Sequence, residues 1–134
     1  MTSGSGVMRD AFQENLVIQQ VLDAAIRVHR ELGPGLLEAV YEGALFFELV
    51  EAGLSVNRQV EVPVAYKGHD LGIGFRADLL VEGWLLLELK AVDSMTDRHV
   101  SQVVTYLKCL GLKRGFLLNF GEKLLKDGIK RVSR

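Results

Sequence analysis

Asp78, Glu88 and Lys90 are two carboxylates and an ammonium on neighbouring strands, a set suited to phosphoryl chemistry. Side chains on a strand repeat every two residues, so Trp84, Leu86, Glu88 and Lys90 are expected on one face. On the preceding strand Gly72, Gly74, Arg76 and Asp78 share the face opposite Leu71, Ile73, Phe75, Ala77, Leu79 and Val81. The Glu82-Gly83 turn makes the strands neighbours, and Asp78 lies as far before Gly83 as Glu88 lies after it, which brings the acids together. Carboxylates side by side repel, and a hard divalent cation between them removes the conflict. Mg2+ takes oxygen ligands, few of them protein carboxylates, and keeps several waters. Lys90 would then stand beside an attacking water, orient it and offset charge developing on a phosphate. Leu89, between the two, could lend its backbone carbonyl to the metal while its side chain enters the core. Gly72 and Gly74 leave room for a backbone or a ligand to approach. The same residues also fit a solvent-facing hairpin in which Lys90 merely pairs with the acids. Context favours the chemical reading, because Glu88 and Lys90 sit in the run Leu85-Leu86-Leu87-Glu88-Leu89-Lys90, the composition of a central strand, where charges need a reason.

The elements that must position these residues follow from periodicity. Val17, Ile18, Val21, Leu22, Ala25, Val28 and Leu32 recur at helical spacing over Asp10–Leu32, and Gly33-Pro34-Gly35 stops that helix. A second helix is expected from about Leu36 to Ala52, closing at Gly53. From Leu54 to Tyr66 the pattern changes to alternation, with Pro63 marking an edge or a bulge. Lys67-Gly68-His69-Asp70 is a turn, Leu71–Val81 a second strand and Trp84–Ala91 a third, together an antiparallel meander. Ser94–Asp97 offers caps for a third helix through Leu110, ended by Gly111. Gly115–Phe120 reads as a buried fourth strand. Glu122–Val132 fits either a short helix or a final hairpin strand. The order is α-α-β-β-β-α-β, within one domain over 10–134, preceded by a Thr/Ser/Gly-rich leader or cloning remnant at 1–9 that is expected to be disordered.

Composition narrows the function classes. With 49% hydrophobic and 25% charged residues the chain has the makeup of a soluble globular protein. No apolar run is long enough to span a bilayer and no signal pattern is present, so a cytoplasmic location is expected. The single cysteine, Cys109, excludes an internal disulfide and a cysteine zinc cluster, and its helical context suggests a small buried hydrophobe. The net charge of −1 argues against strong non-specific nucleic-acid binding, yet Lys108–Arg134 holds eight basic residues against Glu122 and Asp127. That segment could meet phosphates, or simply be a solvated surface. His29 is expected to be structural or interfacial, His69 solvated, and His99 is placed at the start of the third helix. Tyr41 could hold the Glu38 carboxylate or simply pack.

Gly35-Leu36-Leu37-Glu38-Ala39-Val40-Tyr41 resembles the signature of the GxxExxY family, a bacterial and archaeal group within the PD-(D/E)XK nuclease superfamily. The resemblance continues through Ala25–His29, Arg76–Val81, Glu88–Val92, Gln102–Lys108, Asn119–Gly121 and Lys126–Arg131, nearly the whole chain after the leader. It implies an α/β (α+β) fold of the PD-(D/E)XK type, a mixed central sheet flanked by helices. It implies that Asp78 and Glu88 bind Mg2+ or Mn2+ and that Lys90 is the catalytic lysine. Glu38 corresponds to an acid on the helix before the sheet that adds a metal or water contact. Gln102 and Tyr106, four apart on one helix face, are similar to a Gln-x-x-x-Tyr pair that helps position nucleic acid. Ala77 stands where the superfamily's name has proline, a mild departure.

These expectations combine into a metal-dependent nuclease acting on DNA rather than RNA, with a homodimer as the expected assembly. The rival from another class is a non-catalytic module that retains the fold and binds nucleic acid or a protein partner. Metal binding through Asp78 and Glu88 separates the two.

Overall fold

The computed structural model describes residues 9–134. The expected leader lies outside the described residues except for Arg9, whose guanidinium sits 4.6 Å over the Trp84 ring and 3.3 Å from Glu14. Helix α1 spans Ala11–Leu32, with Asp10 accepting the Gln13 N–H in a capping box. Helix α2 spans Glu38–Glu51. Strands β1 (Val56–Tyr66), β2 (His69–Val81) and β3 (Leu85–Lys90) follow, then α3 (Asp97–Leu110) and β4 (Arg114–Asn119). The undecided C-terminal stretch is both things in succession, a 3-10 turn at Leu125–Gly128 and strand β5 at Ile129–Ser133.

The five strands lie in the order β1-β2-β3-β4-β5. Only β3 and β4 run parallel, joined by the α3 crossover, and the other pairs are antiparallel. This mixed sheet with three helices is the expected fold class. Leu85, Leu87 and Leu89 enter the core under α1 and α2, while Leu86 enters the core under α3. Burial of both faces explains why β3 reads as an unbroken leucine run, each leucine worth about 1.5–3 kcal/mol.

Several local expectations are corrected. Trp84 precedes β3 and packs with the α1/α2 core instead of sharing the face of Leu86. Gly74 leaves no room for a ligand, since a Cβ there would lie 2.4 Å from the Val64 side chain. Cys109 is exposed, because the buried stripe of α3 runs through Val103 and Leu107. The alternation of β2 is broken as well. Phe75 and Ala77 join the α3-side core, whereas Leu79 and Val81 join the α1/α2-side core, so the strand changes the face it presents at Asp78.

Candidate functional site

Strand β2 is longer than β3, and their ladder stops at Leu79↔Leu87. The next residue on each strand is an acid, and side chains take over the hydrogen bonding there. The Asp78 N–H donates to Glu88 Oε2 at 2.8 Å, and the Leu89 N–H donates to Asp78 Oδ2 at 2.8 Å. Beyond this point β2 continues outward in a two-stranded hairpin with β1, leaving the acids at the fork between β2 and β3.

The fork is electrostatically loaded. Glu88 is only 6% exposed. Burial, and then the neighbouring Asp78 carboxylate, push its pKa up to about 8. Burial also raises Asp78; the Leu89 N–H and the Lys90 ammonium pull it down, while Glu42 and Glu38 raise it further. Asp78 thus feels the charges of Glu42 and Glu38, and Glu88 those of Asp78 and Glu38. Lys90, at the end of β3, is the cation facing them, and its Nζ lies 3.5 Å from Gln102 Oε1 on α3. Gln102 and Lys90 are thus brought together.

Tyr106 lies one helical turn from Gln102, and its ring stacks on Phe75 with centroids 3.6 Å apart. Burial raises its pKa, followed by the charges of Glu88 and Asp78, which places its hydroxyl within electrostatic reach of the fork. Leu89 keeps its side chain in the core at 1% exposure. Glu38 stands exposed in the first turn of α2 and reaches the acids through its charge.

The Gly35–Tyr41 signature divides into two jobs. Tyr41 is buried, stacks on Phe120 at 4.7 Å, donates to the Gly33 carbonyl at 2.5 Å and accepts the Leu36 N–H at 3.0 Å. It ties down the turn that launches α2, with Gly35 at a φ of 105° that favours glycine. Of the two readings, Tyr41 packs and does not hold Glu38. His29 is structural, its Nε2 2.7 Å from the Glu122 carbonyl, and His99 caps α3 by accepting the Thr96 N–H.

Sequence reasoning missed Glu42 and Gln59. Glu42, one turn beyond Glu38, is 7% exposed and accepts from Arg58 and Gln59. Gln59 lies on β1 between Arg58↔Leu79 and Val60↔Ala77, and so across from Asp78. An acid one turn after Glu38 inside an apolar helix was the available signal for Glu42.

No three His, Cys, Asp or Glu side chains among the described residues gather into a metal cage. Two adjacent carboxylates, Glu88 buried and Asp78 half-buried, still fit Mg2+ or Mn2+, which keep most of their waters and accept few protein oxygens. Burial and the Asp78 charge, which raise the Glu88 pKa, both disfavour its ionised form, and a divalent cation would offset them. Two cavities lie elsewhere, one between α1 and α2 and one beside the 3-10 turn. No described helix is long and apolar enough to cross a membrane.

The model of the PD-(D/E)XK nuclease superfamily matches residues 15–132. No curated protein and no solved structure matches the chain.

Proposed function

Because the chain belongs to the PD-(D/E)XK nuclease superfamily, we propose that it is a metal-dependent nuclease whose site is the fork between β2 and β3. The observation that carries the proposal is the reciprocal pair, Asp78 N–H to Glu88 and Leu89 N–H to Asp78, with Glu88 held near a pKa of 8. Asp78 and Glu88 hold the cation, with Glu38 and the Leu89 carbonyl contributing to its surroundings. When bound, Mg2+ or Mn2+ supplies Lewis-acid stabilisation of a phosphate and lowers the pKa of water. Lys90 orients the attacking water and balances charge on the phosphate, and Gln102 steadies the Lys90 ammonium. Tyr106 and Gln102 line the α3 side of the fork, where a nucleic-acid backbone would pass.

Membership of the GxxExxY branch is part of the same proposal, supported by the Gly35-to-Tyr41 pattern. So are a single domain over 10–134, DNA as the preferred nucleic acid, a cytoplasmic setting and a homodimer. The test is cleavage of single- and double-stranded DNA and RNA with Mg2+ or Mn2+, with Glu88→Ala and Lys90→Ala alongside. Metal-dependent cleavage lost in both variants supports the nuclease. Absence of cleavage on every substrate, or equal cleavage by the variants, favours a binding module that retains the fold.

A further inference from the structure

Strand β1 holds a residue with no place yet in this chemistry. Gln59 has a φ of 50°, in the left-handed region that side chains other than glycine, asparagine and aspartate seldom adopt. Its Nε2 donates to Glu42 Oε1 at 2.7 Å and lies 3.5 Å from Asp78 Oδ1. The other Glu42 oxygen, Oε2, is held by Arg58, with Nη2 at 3.2 Å. We propose that Gln59 is a positioning residue that sets the Asp78 carboxylate for its cation, itself anchored by Glu42 and Arg58.

A primary amide carries two N–H donors and no charge. Gln59 can therefore span two carboxylates without adding a cation that would compete with the metal. The Leu89 N–H fixes Asp78 Oδ2 from β3, and the Gln59 amide reaches Oδ1 from β1. Asp78 is thus approached from both neighbouring strands, with its remaining lone pairs left for a ligand. Glu42 is the rigid end of the arrangement, buried on α2 with its own charge met by Arg58. The backbone switches faces at this place. Val60 and Val62 pack on the α3 side and Val56 on the α1/α2 side, so the left-handed turn at Gln59 aims its side chain at the fork.

This inference rests on the nuclease reading, and its test separates the two. The full chain is titrated with Mn2+ alone, by electron paramagnetic resonance, as wild type, Gln59→Gly, Gln59→Asn and Glu88→Ala, with thermal melts of each. Glycine relaxes the left-handed backbone but takes the amide from buried Glu42, two opposed effects, so the melting temperature is expected to change little. The Mn2+ dissociation constant is expected to rise about 10- to 100-fold, the usual cost of losing a partner of a metal ligand. Asparagine tolerates the backbone but is too short to span both acids, and the same loss is expected, so the test does not hang on one variant folding. Wild-type Mn2+ affinity in folded Gln59→Gly or Gln59→Asn overturns the positioning role alone. A wild type that binds Mn2+ no better than Glu88→Ala overturns the nuclease reading, and the inference with it.

Discussion

The Asp78 main chain donates to the Glu88 side chain while the Asp78 side chain accepts from the main chain next to Glu88, both at 2.8 Å. This exchange stands where the next rung of the β2/β3 ladder would be, so the two acids are held in place without any cation. Each carboxylate also works as a strand-pairing group. The arrangement satisfies hydrogen bonds but concentrates negative charge, and stability and metal binding should therefore oppose each other at Glu88.

The first consequence is a pH profile. The folded-state pKa of Glu88 is raised from 4.5 to about 8. Between those values the folded chain retains a proton that the unfolded chain has released, so stability falls as pH rises through the window and levels off above it. Asp78 is raised too and acts in the same direction. Glu88→Gln keeps an acceptor for the Asp78 N–H but cannot ionise. It should melt at least as high as wild type at pH 8 in EDTA, with a flatter profile from pH 5 to 8, and should not cleave. Parallel melting curves for the two proteins across that range would refute the account.

Metal affinity should show the reciprocal dependence. A cation must displace the Glu88 proton, so below pH 8 the Mn2+ association constant is expected to rise about tenfold per pH unit and flatten above it. Titrations of metal-stripped protein at pH 6, 7 and 8 measure this. A constant affinity over that range would mean that the ion displaces no proton from Glu88 on binding.

The register explains what could and could not be read from the sequence. Asp78 and Glu88 meet as counted from Gly83, because that hairpin is regular and the ladder from Val81↔Leu85 onward has no slip. Gln59 could not be found the same way. Counted back from the Lys67-Gly68 turn, Asp78 falls opposite Asn57, but the register shifts around Pro63 and Ala65 carry it opposite Gln59. Pro63 announced an irregularity but not its size. Parity misled on β2 for a related reason. Phe75 and Leu79 share a parity and are both apolar, yet a sharp change of face at Asp78 sends them to different cores. Helix ends were legible because their chemistry is local, as in the Thr96 cap of α3, within Ser94–Asp97, and the left-handed Gly111.

The Gly35–Tyr41 signature yields a pair of opposite outcomes. Tyr41→Phe keeps the stack on Phe120 but loses the bonds to Gly33 and Leu36, and should cost about 1–3 kcal/mol of stability with cleavage per folded molecule unchanged. Glu38→Ala is exposed and should change stability by less than about 0.5 kcal/mol while lowering cleavage. Urea melts beside cleavage rates corrected for folded fraction decide both. Loss of stability in Glu38→Ala would move that residue out of the site and into the scaffold.

Asn119 provides the last prediction, since it controls how Lys90 leaves the sheet. It is fully buried on β4 directly opposite Lys90. Its Oδ1 accepts the N–H of Val92 and of Gly121, each at 3.0 Å, and its Nδ2 donates to the Val92 carbonyl at 2.9 Å. One side chain thereby clamps the main chain just past Lys90. Gly121 must be glycine for the same reason, because a Cβ there would lie 2.2 Å from the Val92 carbonyl oxygen. Asn119→Ala strands three half-buried main-chain groups and should cost about 2–3 kcal/mol. Because Val92 is two residues beyond Lys90, the lysine should also lose its fixed approach to Gln102 and the fork. Cleavage measured well below the melting temperature should then fall by about tenfold or more, while Mn2+ binding through Asp78 and Glu88 persists. Retained cleavage in a destabilised but folded Asn119→Ala would show that Lys90 is held by Gln102 and the ladder to β4 alone.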